Sequence, residues 1–200
     1  MTNNSEFHQI ASAANIGYLG ILTQDGYPRV VPINFATIGD RVYLHGASNG
    51  EKYEAFASGQ KVTFSVDLPY AMIPSYWQDA EQACRATQFF KSVLIRGRGA
   101  IVSDVDERAA ALQTLMKKHQ AEGGFRQITA SQKLYHKSLA GVTVFRIDPD
   151  RITTLIKMGE KLSTEVKAEL VKRLRERGNE VDLETAAEIQ NQIDQQERTR

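Results

Sequence analysis

Apolar and polar positions alternate with a period of two in three closely spaced runs, residues 18–23, 28–36 and 41–46, the spacing of half-buried strands. Gln24-Asp25-Gly26-Tyr27 joins the first pair and Ile38-Gly39-Asp40 the second. Asp-Gly and Gly-Asp between alternating runs are hairpin signals, so a three-stranded antiparallel meander is predicted. Pro32, inside the second run, cannot donate to a ladder and marks an edge, bulge or open position. The third strand leads through Ser48-Asn49-Gly50-Glu51-Lys52 into a helix over 49–58, with Asn49 as its cap, Tyr53, Phe56 and Ala57 on one face and Gly59 at its end. A strand that runs through a glycine turn into a helix N-terminus and a lysine is suited to hold a phosphate. Without an anion, Lys52 in the first turn opposes the helix dipole.

The rest of the chain extends this pattern. Phe7, Ile10, Ala11 and Ala14 keep helical spacing ahead of the meander. Residues 61–67 alternate as a fourth strand, and 91–103 form a fifth containing Gly97 and Gly99, which indicate a bulge, a barrel corner or close backbone approach. A helix follows from Asp104 to about Gln120, its face carrying Ala109, Leu112, Leu115, Met116 and His119, and a short helix is predicted over 131–138. Strands over 141–147 and 151–157 are separated by Asp148-Pro149. Residues 68–90, with Pro69, Pro74, Tyr70, Tyr76 and Trp77, read as an irregular loop, either a binding lid or an oligomer contact. The succession of hairpin-linked strands predicts a mainly β chain, an antiparallel sheet closed into a barrel with α insertions. From 159 onward Glu, Gln, Lys and Arg surround Val166, Leu170, Leu174, Leu183, Ile189 and Ile193, a C-terminal helical hairpin. The organisation expected is a barrel domain over 1–158 and a helical extension over 159–200.

Composition narrows the function classes. Apolar residues make up 42% and charged residues 24%, enough for a core without disulfides or a structural metal. A net charge of +1 gives no bulk attraction to nucleic acid or an anionic membrane. Cys84 is the only cysteine, so an internal disulfide is excluded, and with no His or second Cys nearby neither a zinc site nor a thiol nucleophile is supported. No apolar run approaches the roughly 20 residues of a membrane span, and MTNNSEFHQI lacks the features of a secretory leader. A cytoplasmic protein is expected.

The ordered set GILTQDGYPRVVPINF, DRVYLHGASNGEKYEAF, QKVTFSVD and KSVLIRGRGAIV resembles the FMN-binding split-barrel superfamily around pyridoxamine 5′-phosphate oxidase. YLHGA with the following glycine and lysine, the SV…G.G strand and the helix at 106–119 resemble its branch related to nitroimidazole-resistance reductases. The resemblance covers residues 5–157 and implies an antiparallel split β-barrel that binds FMN at a homodimer interface. It places Arg29 and Lys52 on the FMN phosphate, with Gly50 and Glu51 in the turn before Lys52. The family more often has a basic or hydroxyl residue near Glu51. Val30, Val31, Pro32, Ile33 and Asn34 match the segment along the isoalloxazine ring. His45, Gly46 and Ala47 match the strand end near the ring and phosphoribityl chain, with His45 a catalytic proton donor or a structural histidine. Ser92 matches a polar position that reaches the flavin, across the dimer.

The function implied is that of an FMN-dependent oxidoreductase reducing a small flat acceptor (a nitroaromatic, quinone or pyridine derivative) with NAD(P)H. The C-terminal substrate segment of a true pyridoxamine phosphate oxidase is not evident. The alternatives are a non-enzymatic flavin- or haem-binding sensor, with His45, His119 or His136 as axial candidates, and an interaction module acting through its helical tail. No metal site is expected otherwise.

Overall fold

A computed structural model of the chain describes residues 4–198; the first three residues of the segment read above as lacking a leader lie outside it. Strand β1 (Ile16–Leu22) pairs antiparallel with β2 (Pro28–Asn34) along its whole length, from Ile16 opposite Asn34 to Leu22 opposite Pro28. The predicted second run then divides. Phe35 is fully buried against Phe64, ring centroids 5.0 Å apart, and the chain resumes as β3 (Ala36–Ile38), paired antiparallel with β4 (Arg41–Gly46). With β5 (Lys61–Ile73), β6 (Thr87–Ile101) and β7 (Thr143–Lys157) the strands form one seven-stranded sheet in the order β2-β1-β5-β6-β7-β4-β3. Its two edge strands, β2 and β3, are therefore consecutive in the chain and separated by Phe35 alone. One residue can join opposite edges only if the sheet curls, which makes this a mainly β split barrel with helical insertions.

Two sequence expectations change here. Residues 68–90 are not one irregular loop: β5 continues to Ile73 and β6 begins at Thr87, leaving 74–86 with two short 3₁₀ turns, Ser75–Trp77 and Ala83–Arg85. Pro69 reads as a breaker, yet the strand passes through it with Ala71 and Ile73 buried. Likewise the two strands expected around Asp148-Pro149 are one strand, β7. Gly97 explains how: a Cβ there would collide with the Asp148 carbonyl oxygen and crowd the Pro149 Cα at 3.1 Å, so the missing side chain lets β7 bend against β6.

The chain forms two compact units. The first comprises Met1–Asp67 and Ser92–Thr154. Its core includes Leu19, Ile21, Phe64, Ile95, Phe145 and Ile147. Helix α1 (Asn4–Ala13) buries Phe7, Ile10 and Ala11. Helix α2 (Gly50–Ala57) buries Phe56 against Phe145 with centroids 5.0 Å apart. Helix α3 (Val105–His119) starts where the Asp104 carboxylate accepts the Glu107 N–H at 2.7 Å, a capping bond. The short helix α4 (His136–Gly141) buries Leu139.

A polar network fastens α3 to the sheet. Glu107 accepts from the Tyr43 hydroxyl at 2.8 Å and from Arg146 Nη1 at 2.9 and 3.2 Å. Arg146 Nε and Arg41 Nε both reach Asp148 at 2.9 Å. Burial, then the Glu107 carboxylate, pushes the Tyr43 phenol up to about 12. Burial alone would raise Glu107, but Arg146 and Tyr43 outweigh it and hold it below its ordinary 4.5. A carboxyl depressed in the folded state adds stability above its unfolded pKa and loses it as pH falls through the folded value. Glu107→Gln should therefore lower stability by on the order of 1–2 kcal/mol at neutral pH and by less as acid is added. Urea unfolding at several pH values checks this, and a constant difference from neutral to acid would remove Glu107 from the acid response.

The second unit comprises Leu68–Lys91 and Leu155–Arg200. Helices α5 (Thr164–Arg177) and α6 (Glu180–Arg198) share a core of Ala71, Ile73, Phe89, Met158, Leu170, Val171, Leu174, Ala186, Ile189 and Ile193. Tyr70 and Trp77 pack on this core, and among the three aromatics of the expected loop Tyr76 is the exposed one, at 66%. Tyr70 and Trp77 are thus not held out for a flat ligand; the helices take them up. No helix among the described residues is long and apolar enough to cross a membrane.

Candidate functional site

The register of β1 and β2 fixes which side chains of β2 look inward. Val31 lies opposite Leu19, Arg29 opposite Ile21 and Ile33 opposite Gly17, and Leu19 and Ile21 are core residues. Arg29, Val31 and Ile33 therefore form the inner row of an edge strand, while Val30, Pro32 and Asn34 form the outer row. Among the described residues β2 has no partner on its far side, so Pro32 interrupts no ladder there, which is the edge position its ring requires.

The second wall is the turn from β4 into α2. Gly50 has φ +82°, in the left-handed region, and lets the chain reverse from strand to helix. Asn49 occupies the N-cap position with extended backbone, but its side chain makes no capping bond. The first-turn N–H groups of α2 are thus left without the side-chain acceptor expected of an asparagine cap. Ala47, exposed, lies in the same turn.

Lys52 folds back over this turn. Its ammonium donates to the His45 carbonyl at 3.3 Å and stands 4.8 Å from the centroid of the Phe145 ring. A Cβ on Gly46 would collide with that ammonium, so glycine at the end of β4 makes its position possible. Burial lowers the Lys52 pKa. Arg29 reaches across from β2 and pairs with Glu51, Nε to Oε2, at 2.9 Å. The pair is exposed and adds little to stability; its effect is to hold the edge strand against the start of α2.

His45 projects from the end of β4. Burial, then Lys52 and His119, lower its pKa below 6.5, which keeps the imidazole neutral near pH 7. The sequence reads His119 as part of the α3 face and as an axial candidate for haem; the structure gives it two polar partners. Its Nε2 pairs with the Phe35 carbonyl at 3.2 Å and its Nδ1 with the Asn34 amide at 3.4 Å. A carbonyl accepts only, so the proton is on Nε2 and Nδ1 accepts from Asn34, which also donates to the Asn15 carbonyl at 3.3 Å. The neighbouring Lys118 donates to the Ala11 carbonyl at 2.8 Å over the Phe35 ring, and burial pulls its pKa down to about 8.

The structure thus brings Arg29, Glu51, Lys52, Gly46 and His45 together at the rim formed by the β4–α2 turn and adds Phe145, while Asn34, in the outer row of β2, meets His119. Ser92 stands apart: it is half-buried on β6, a strand that adjoins neither β2 nor β4. His136 begins α4 and is exposed. Phe145 had no local signal, and nothing local pairs His119 with Asn34, since Phe145 and His119 lie 93 and 85 residues from the partners they meet, Lys52 and Asn34. No group of three or more His, Cys, Asp or Glu that could hold a metal ion occurs among the described residues.

The donor set fits a phosphate group. Lys52, half-buried, has a carbonyl and a ring as its partners rather than a carboxylate, and α2 presents uncapped N–H groups beside it. Glu51 is the one misfit, because its carboxylate already occupies Arg29 and would face an arriving anion.

A family profile described as pyridoxamine 5′-phosphate oxidase matches residues 3–156. Among curated proteins none matches the chain significantly. Solved structures that share its fold include three at TM-scores above 0.6. A protein of Bacteroides thetaiotaomicron, named for 5-nitroimidazole antibiotic resistance, is 23% identical with a TM-score of 0.61 over 77% of this chain and 84% of that one. A flavocytochrome from Azotobacter vinelandii is 23% identical with a TM-score of 0.64, over 84% and 74%. An FAD- and haem-binding protein from Mycobacterium smegmatis is 20% identical with a TM-score of 0.61, over 84% and 78%.

Proposed function

From a chain that belongs to the pyridoxamine 5′-phosphate oxidase family, we propose a homodimeric, FMN-binding oxidoreductase that uses NAD(P)H to reduce a small flat acceptor such as a nitroaromatic, quinone or pyridine derivative. The observation that carries this reading is the rim itself: a half-buried ammonium with no carboxylate partner among the described residues, beside a helix start whose asparagine makes no side-chain cap. Structural neighbours named for FAD and for nitroimidazole resistance support it.

In this reading Lys52, the first-turn N–H groups of α2 and Arg29, once released from Glu51, hold the phosphate. The backbone of Val30 to Asn34 lies along the ring. Bound there, the flavin supplies hydride and single-electron transfer. His45 holds a neutral imidazole at the rim, able to donate a hydrogen bond from one nitrogen while accepting at the other. His119 orients Asn34 by accepting from its amide. Ile16 and Tyr18 are 40% and 41% exposed; on the outer face of β1 they offer a second copy an apolar surface.

An absorbance spectrum of the purified protein tests the cofactor reading. Paired flavin bands, with one FMN released per chain on denaturation, are expected. A colourless protein that takes up no added FMN would end it, and a Soret band would move the reading to haem, for which some neighbours are named. His45→Ala should lower nitroaromatic turnover roughly 100-fold with FMN still bound. Because burial holds His45 below 6.5, the wild-type rate should fall only as pH drops through a lower value, and this acid limb should vanish in the variant. Equal turnover in the two proteins would leave His45 structural.

A further inference from the structure

A second concave feature of the same unit lies where β1 ends, β2 and β5 begin, and β6 and β7 cross. It is a groove of about 610 Å³ lined by Arg29, Lys61, Arg96 and Arg151, with Asp150 as its one acidic side chain. Arg29 is shared with Glu51. Lys61, Arg96 and Arg151 form no ion pair among the described residues.

The groove is shaped by specific contacts. The Gln60 side chain takes the place of a strand partner for Leu22, accepting its N–H at 3.1 Å and donating to its carbonyl at 2.8 Å. The Gly99 N–H donates to the Gln60 carbonyl at 3.1 Å, so the start of β5 is tied to β6 as well as to β1. Gly97, without a side chain, lets β7 close against β6 beside Arg96. Leu22 and Val30, 51% and 65% exposed, add an apolar wall.

Three cations without an ion pair, and Arg29 already shared with Glu51, around the one carboxylate of Asp150 call for an anion of more than one charge. The volume exceeds what a single phosphate needs, and the apolar wall suits a flat base. The chain's net charge of +1 and the absence of an aromatic in the lining argue against a nucleic-acid strand. Arg29 lines this groove and pairs with Glu51 at the start of α2, so the groove and the Lys52 position share one side chain.

We propose that this groove binds the diphosphate and adenosine of an adenine dinucleotide, the ADP half shared by FAD and NAD(P)H. The proposal rests on the flavin reading only for what is attached to that half. Arg96 and Arg151 bind the phosphate next to the adenosine, which leaves the flavin-side phosphate of FAD to Arg29 and Lys52; Lys61 adds long-range attraction, and the base lies on Leu22 and Val30.

Titration calorimetry of the full chain with ADP, then FMN, FAD and NADPH, tests it. ADP should bind, and Arg96→Glu/Arg151→Glu should weaken it by roughly 100-fold, the loss of two charge-assisted contacts, while FMN affinity stays unchanged. Arg96→Lys/Arg151→Lys should keep most of the ADP affinity, which separates charge from folding. If the ADP half belongs to the cofactor, FAD binds more tightly than FMN and blocks ADP. If it belongs to the electron donor, FMN-loaded protein binds NADPH in competition with ADP. ADP binding without uptake of either flavin would keep the groove and end the flavin reading. FMN uptake with no ADP binding, or ADP binding indifferent to the double glutamate variant, would overturn the proposal.

Discussion

Lys52→Ala should weaken FMN binding by about 1–3 kcal/mol, or roughly five- to 150-fold, the scale of a lost charge-assisted hydrogen bond. The expectation follows from what the ammonium lacks. A half-buried lysine in the first turn of a helix meets the positive end of the dipole, and here its neighbours are a carbonyl at 3.3 Å and an aromatic face at 4.8 Å. Burial lowers its pKa; a phosphate would supply the missing negative charge and raise it again. FMN affinity should therefore fall as pH rises through the lysine range in the wild type and show no such loss in the variant. Gly46→Ala offers an independent check on geometry, because the added Cβ would meet the same ammonium and should weaken binding while leaving the charge in place. Fluorescence titration of FMN measures all three proteins. A dissociation constant for Lys52→Ala within about twofold of wild type, less than RT in free energy, would take Lys52 out of the site.

The parts of this site that could be read from the chain are those built by local rules. Asp25-Gly26 and Gly39-Asp40 announce their turns, and the alternation around them sets the strands that bear Arg29 and His45. Ser48 to Lys52 signals a helix start because a cap-type residue, Asn49, stands just ahead of the helical spacing of Tyr53, Phe56 and Ala57. What was not legible depends on packing between distant segments. Pro69 looks like a breaker, yet β5 runs through it to Ile73, and the Ala71 N–H donates to the Thr185 hydroxyl, 114 residues away, at 2.9 Å; only Pro74 ends the strand. The division of 28–36 at Phe35 has no sequence mark; it comes from the ring's burial against Phe64. His119 carried a helical pattern that accounted for it completely, and only the return of α3 to the end of β2 gives its imidazole Asn34 and the Phe35 carbonyl as partners. Lys61, Arg96 and Arg151 each read as the exposed residue of an alternating strand, and their common groove exists only once β5, β6 and β7 are side by side.

Arg177→Ala should destabilise the second unit by about 3–5 kcal/mol, because it leaves a buried carboxylate without its counter-ion. Asp182 is 1% exposed and takes both Nε, at 2.6 Å, and Nη2 of Arg177. The same guanidinium donates to the Met72 carbonyl at 3.0 Å and lies 4.8 Å from the centroid of the Trp77 ring. One side chain at the end of α5 thus fastens the start of α6 and the 3₁₀ turn after β5. Gly178, with φ +71°, ends α5 and allows the chain to turn back so that five residues later in sequence Asp182 meets Arg177. Asp182→Ala should cost less than Arg177→Ala, since the surviving cation still has solvent, a carbonyl and a ring. Replacing both by leucine should recover most of the loss, because the cost of a broken buried pair is chiefly the stranded charge. Guanidinium unfolding followed by circular dichroism gives the three values, and an Arg177→Ala change under about 1 kcal/mol would place the pair with weak surface ion pairs. Arg29, His45 and Lys52 belong to the other unit, so FMN affinity should be unaltered in the folded variant. A parallel loss of flavin binding would instead require residues of the second unit in the cofactor site.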